Sequence, residues 1–303
     1  MNDSPYIIRN YTRADFNRFV LAYLCAERTE PIGRPCTPQA IVEKKVRPGY
    51  HPERDIFLAE AGGEVIGFLD VLAETGIDRL IVDAWIAPDY RKMGIGEKLL
   101  DIARHRARDN GITRLHVNVR EDNEVSRAVL SGLGFTCVRS FRELEIDIRG
   151  VDSQVLQGAM CECRYLQEGE EAVLADIQNR SFSEHWGYNP DTAGSIEFRL
   201  SLSHRSHRDI ILRCEDDSVT GYCWTDVTGD GRGRIFMIGS DPKHRGRGIG
   251  RKLLMAGMAN LRNNGIQTVW LTVDSDNTAA LSLYDSVGFT QKTNYLWYEA
   301  SAD

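Results

Sequence analysis

Arg245, Gly248 and Gly250 stand in the spacing Arg-x-x-Gly-x-Gly, after the apolar run 235–238 and Pro242, and before Leu253-Leu254. Glycines there let an anion approach the backbone closely. A helix that begins at such a turn leaves N–H groups unpaired, its dipole attracts negative charge, and the arginine adds a full positive charge. The chemistry on offer is phosphate binding. Arg91, Gly94 and Gly96 repeat the spacing after the apolar run 80–86 and Pro88. Neither copy is a P-loop, since no Gly-Lys-Ser/Thr follows. The glycine fingerprint of dinucleotide folds has another spacing and places an acid after a downstream strand, which is missing here.

The two copies lie 154 positions apart, and the register holds without a gap from Pro88 and Pro242 to Gly134-Phe135 and Gly288-Phe289. About 17 of some 48 aligned positions are identical, too many for unrelated segments, so the chain carries a duplicated domain. Its 303 residues and 42% hydrophobic content suit two ordinary cores. A net charge of −7 argues against a nucleic-acid partner, which needs a basic face. No long apolar run and no secretory start are present, so a soluble, cytoplasmic protein without membrane contact is expected. Seven scattered cysteines make no disulfide framework, and Cys161 and Cys163 read as ordinary strand residues. The stretch 204–208, with His204 and His207, reads as a solvated loop, and no metal is expected.

Each half reads as the same series of elements. In the first, these are strand 6–9, helix 15–27, and a helix opened by Thr37 as cap and Pro38. Hairpin 56–69, strand 80–86, helix 94–110, strand 115–119, helix 125–133 and a closing hairpin 135–148 follow. The second half repeats the order: a strand near 164–166, helices 170–179 and 192–200, and hairpin 209–224. It continues with strand 235–238, helix 248–263, strand 269–273, helix 278–287 and a terminal strand pair. The polar stretch 149–157 reads as a linker between domains 1–149 and 158–303. Helices set among strands of a mixed, mainly antiparallel sheet make the class α+β, or α/β by looser usage.

Together, these motifs resemble the GCN5-related N-acetyltransferase (GNAT) family in both halves: apolar strand, Arg-x-x-Gly-x-Gly, helix, strand, then Asn before a short helix ending in Gly-Phe. The resemblance implies acetyl-CoA as cosubstrate, with its pantetheine in a gap between the fourth and fifth strands. Carried over by position, Ile238, Gly239 and Ser240 would face pantetheine and the thioester. Arg245, Gly246, Arg247, Gly248, Ile249, Gly250 and Arg251 would wrap the pyrophosphate, and Asn277 would touch the cosubstrate. Arg91, Gly94 and Gly96 would do the same for the first half.

Tyr284 stands where this family often has the acid that protonates the departing thiolate, whereas the first half has Leu130. Chemistry is therefore expected in the second half. The tandem layout is similar to that of mycothiol synthase and its relatives, but the acceptor-side positions Asp226, Arg234 and Thr272 differ from that pattern. The implied reaction is acetyl transfer to a primary amine of a small molecule in a ternary complex, by a monomer or homodimer. Glu184, His185, Asp226 and Asp274 are candidate bases. The rival readings are an acyl-CoA-binding regulatory pseudoenzyme and a mycothiol synthase acting on a cysteinyl amino-sugar conjugate.

Overall fold

A computed structural model describes residues 5–29, 38–202, 205–216 and 218–303. In chain order the strands and helices are β1 (Ile7–Asn10), α1 (Phe16–Thr29), α2 (Pro38–Lys45), α3 (Pro52–Asp55), β2 (Ile56–Ala61), β3 (Glu64–Glu74) and β4 (Arg79–Ile86). Next come α4 (Ile95–Asp109), β5 (Arg114–Arg120), α5 (Glu124–Gly132), β6 (Thr136–Asp147), α6 (Ser153–Cys161) and β7 (Arg164–Tyr165). The series ends with α7 (Glu171–Phe182), α8 (Ala193–Leu200), β8 (Ile210–Glu215), β9 (Ser218–Val227), β10 (Gly233–Ser240), α9 (Ile249–Asn263), β11 (Thr268–Asp274), α10 (Thr278–Val287) and β12 (Thr290–Ser301).

The chain divides into two compact units. Unit 1 is Met1–Ser140 with Asn294–Asp303, and unit 2 is Phe141–Thr293. Unit 1 orders its strands β1-β2-β3-β4-β5-β12, with only β4 and β5 parallel. Alternation along β3 sends Phe68 and Leu69 into separate apolar clusters, as expected of a sheet covered on both faces. One cluster holds Ile95, Leu99 and Ala103 of α4, whose spacing of four residues keeps them on one helix face; the other holds Phe19 and Val20 of α1.

Unit 2 has the same plan, β7-β8-β9-β10-β11-β6, with only β10 and β11 parallel. On β9, Cys223 enters the cluster of α9 while Tyr222 and Trp224 enter that of α7 and α8. The expected mixed, mainly antiparallel architecture is present in both units.

The departures lie at the joints. Neither closing hairpin forms: β6 and β12 are each one uninterrupted strand. Their sequences contain no glycine or proline and no Asn-Gly pair to supply a tight turn. Phe141–Asp147 then pairs with β11, while Tyr295–Ser301 pairs with β5. Each unit thus takes its sixth strand from the opposite half of the sequence, and the compact units do not follow the boundaries 1–149 and 158–303.

The stretch read as a linker is the start of α6. Asp152 caps that helix by accepting from the Gln154 N–H at 2.8 Å. Leu156 is fully buried, and Arg262 of α9 donates to the Val151 carbonyl at 2.9 Å and to Ser153 Oγ at 3.0 Å. Cys161 therefore ends a helix and Cys163 lies just before β7, rather than in a strand. The six described cysteines are free thiols. His207 is not simply solvated, since its Nε2 lies 2.8 Å from Glu171 Oε1. His204 and the Thr37 cap lie outside the described residues. No helix among the described residues is long and apolar enough to cross a membrane.

Candidate active site

The glycine turns have the same geometry in both units. Gly94 and Gly248 are the residues that cap α4 and α9, with φ of 75° and 74°, in the left-handed region that glycine adopts freely. Two residues earlier Gly246 has φ 80°, and its counterpart Lys92 holds the same strained region at 67° despite its side chain. The first helical hydrogen bonds run from Lys98 to Gly94 and from Lys252 to Gly248. The N–H groups of Gly246 to Arg251 consequently find no protein acceptor among the described residues, and the same holds from Lys92 to Glu97. This is an anion cradle made of backbone. Arg245 and Arg247 stand largely exposed beside it, 3.8 Å from Glu184 and 3.7 Å from Glu215. Arg251 donates to Ser286 Oγ at 2.9 Å, and in unit 1 Arg91 donates to the Ile86 carbonyl at 3.2 Å.

The strands leading into these turns splay from their parallel neighbours. Strand β10 pairs with β11 only at Gly233 and Arg234, and β4 pairs with β5 only at Leu80 and Ile81. Ile238, Gly239 and Ser240 thus keep β9 on one side while their other edge opens on the gap. Here the units differ. The β9–β10 register shifts between Ile235 and Met237, a bulge at Phe236, while β3–β4 pairs continuously from Gly67 to Glu74. A bulge twists its strand and re-aims the local N–H groups, a frequent device beside active sites.

Tyr284 lies in the apolar core of unit 2, with its ring 5.7 Å from Phe289. Burial, and then the nearby Cys223, push its hydroxyl well above the ordinary tyrosine range. Cys223 is the register partner of Ile238, so Tyr284 reaches the level of the splay. Leu130 is equally buried in unit 1. Asn277 and its repeat Asn123 have a local explanation: each side chain accepts from the N–H three residues on and caps its helix.

The candidate bases are not equivalent. Asp226 is buried, and its carboxylate accepts Arg234 Nε at 2.9 Å, a second Arg234 nitrogen, and Arg205 Nη1 at 2.8 Å. Glu184 has 81% of its side chain exposed. Asp274 is buried at the end of β11 and accepts the Asp276 N–H at 3.0 Å. His185 is half-buried 4.7 Å from the Phe182 ring, with Nδ1 buried and without a hydrogen-bond partner among the described residues. Burial and the Arg245 charge hold its pKa below the ordinary histidine range.

Sequence reading missed a group of polar atoms on α7 and β9. Both amide atoms of Gln178, Ser181 Oγ, the Tyr222 hydroxyl and Trp224 Nε1 are buried without a hydrogen-bond partner among the described residues. Ser181 packs so closely on β10 that a Cβ on Gly239 would sit 2.8 Å from its Cβ. No local pattern marks these residues, because their burial arises only when α7 seats on the sheet.

Comparison with known proteins agrees with this geometry. The mycothiol acetyltransferase of Nocardia farcinica is 28% identical over 240 residues, covering 77% of this chain and 78% of that one. That of Geodermatophilus obscurus is 27% identical over 283 residues, 90% of each chain. Two solved structures share the fold. A GCN5-related N-acetyltransferase from Sphaerobacter thermophilus has a TM-score of 0.74 at 21% identity, covering 100% of this chain and 97% of the other. A tandem GNAT protein from the clavulanic acid biosynthesis pathway also gives 0.74, at 17% identity over 98% and 99% of the chains. The family model described as "Acetyltransferase (GNAT) family" matches residues 22–135 and 172–289, one stretch for each glycine turn. With each match spanning one splayed strand and its glycine turn, the chain belongs to the GNAT family as a tandem N-acetyltransferase.

Proposed function

We propose that this N-acetyltransferase takes its acetyl group from acetyl-CoA and passes it to the primary amine of a small molecule, with the chemistry in unit 2. The observation that carries the assignment is a coincidence: only unit 2 combines the anion cradle and splay with the bulge at Phe236 and with Tyr284. The cradle from Arg245 to Arg251 would receive the pyrophosphate, and the open edge at Ile238, Gly239 and Ser240 the pantetheine. An acceptor amine must lose a proton and attack the thioester carbon; the N–H groups turned by the bulge would receive the developing oxyanion. The C–S bond then breaks, and the Tyr284 hydroxyl donates its proton to the sulfur.

His185 is the base best suited to take the amine's proton. Its ring is held neutral, whereas Asp226 would first have to leave two guanidiniums and Glu184 stands in solvent. The unused polar atoms on α7 and β9 support an acceptor seated on that face.

Gly248→Asp sets a fixed negative charge against the pyrophosphate and should abolish acetyl-CoA binding and turnover, with the equivalent Gly94→Asp sparing turnover. Equilibrium binding and thiol-release assays on both folded variants decide it. If Gly94→Asp kills turnover and Gly248→Asp spares it, the chemistry belongs to unit 1. The mycothiol acetyltransferase relatives favour a second reading, in which the acceptor is a cysteinyl amino-sugar conjugate. Thiol release with that compound, set against simpler amines, separates the two.

A further inference from the structure

We infer that the amine accepted by unit 2 also carries a carboxylate, and that Arg234 recognises it. The inference rests on the acetyl transfer proposed for unit 2 and names the acceptor class, a small aminocarboxylate. Its basis is the way β9, β10 and β11 hold one guanidinium.

Arg234 is the last residue of β10 to pair with β11, opposite Trp270, so it stands where the splay opens. Its guanidinium lies 4.8 Å from the centroid of the Phe236 ring and 5.4 Å from that of Trp270. Phe236 meets Trp224 edge-on at 5.4 Å, which puts this group on the α7 and α8 face of the sheet. Phe236 is also the bulge, two residues or about 7 Å along the strand from Arg234. The guanidinium therefore sits beside the segment whose N–H groups would receive the oxyanion.

Asp226 takes one edge of that guanidinium, accepting Nε at 2.9 Å and also Nη2. Nη1 donates to no acceptor among the described residues, so the edge formed by Nη1 and the second Nη2 hydrogen is open for another two-pronged pair. Asp226 also accepts Arg205 Nη1 at 2.8 Å, so one carboxylate is shared between two guanidiniums. The nearby acids of β6 are engaged elsewhere. Glu145 receives Arg232 at 2.9 Å and Lys292 at 3.1 Å, and Glu143 lies 3.7 Å from Arg232. Two rings and a salt bridge thus fix the plane of Arg234 before a ligand arrives, which lowers the cost of forming the pair. A carboxylate on the open edge would supply the second negative charge, and the amine of the same molecule would reach the bulge.

Thiol release from acetyl-CoA tests this with glycine, L-alanine, β-alanine and 4-aminobutyrate, each set against its primary amide. At least one acid should exceed its amide by about tenfold or more in kcat/KM, the worth of a charge-assisted pair. Arg234→Gln should bring that ratio to within about threefold of one. Arg234→Lys keeps a cation on Asp226 but has no second edge, and should lose the preference as well. Circular dichroism and acetyl-CoA binding establish that both variants are folded. Amides that match their acids in the wild type, or a ratio unchanged in either folded variant, would overturn the inference and leave acetyl transfer standing. A cysteinyl amino-sugar conjugate turned over better than every acid would do the same. No thiol release with any amine, despite bound acetyl-CoA, would overturn both.

Discussion

Tyr284 shows what burial does to a proposed acid. Its hydroxyl is driven further from ionisation than a free tyrosine, so it stays protonated at every working pH. It therefore still carries its proton when the C–S bond breaks. Tyr284→Phe keeps the ring against Phe289, so stability should change little while kcat falls about 10²–10⁴-fold with acetyl-CoA affinity retained. Steady-state kinetics check this; a kcat within about threefold of wild type, with chemistry rate-limiting, would return Tyr284 to a packing role. His185 makes a pH prediction. A base works when neutral, and a pKa held below the usual value of about 6.5 keeps it neutral further into acid. The acid limb of kcat/KM should therefore lie below pH 6.5 and disappear in His185→Gln. An unchanged limb in that variant removes His185 from the mechanism. Both residues were legible in the sequence as candidates, but their ranking over Asp226 was not, because Arg205 lies 21 positions from Asp226.

Among the elements, the repeated glycines Gly67 and Gly221 show why the fourth strand can come so close to the third. A Cβ there would sit 2.8 Å from the carbonyl oxygen of Trp85 or of Gly239, and at Gly221 also 2.7 Å from Leu253 Cδ1. The two units share that approach and part company at the bulge, which no residue pattern announces: Ile235, Phe236 and Met237 read as plain strand. The exchanged strands make an element-level prediction. Removing residues 294–303 deletes the partner of β5, so the amides of 114–120 should lose protection by about tenfold or more in hydrogen exchange. Retained protection in that truncated chain would mean that β12 is dispensable to unit 1.

Across the whole molecule, one plan occurs twice with different residues at equivalent positions. Each unit keeps a parallel strand pair that diverges, a glycine-capped helix and a row of unpaired N–H groups, and in unit 1 Lys92 holds its strained conformation to preserve that turn. Backbone strain of this kind costs about 1–3 kcal/mol and persists where the surrounding structure over-determines it. Unit 1 thus retains the form of the glycine turn, with Leu130 at the position of Tyr284 and no bulge in β4. The acidic pair behind its splay, Asp70 opposite Asp83, is the feature that distinguishes it most from unit 2, where their counterparts are Trp224 and Met237.

By itself the sequence determined the duplication, the order of elements within each half, the phosphate-type turns and the asymmetry between Tyr284 and Leu130. All of these are written in spacings of a few residues: helical and strand periodicity, glycine at a turn, proline before it. Tertiary structure decided which strand closes which sheet, where β10 bulges, that Asp226 is bound by two arginines, and that Asp70 confronts Asp83. Those outcomes depend on pairing register and on contacts between residues far apart in the chain. A register is set by the burial of whole faces and by loop closure, not by any local preference of the residues that end up opposite one another.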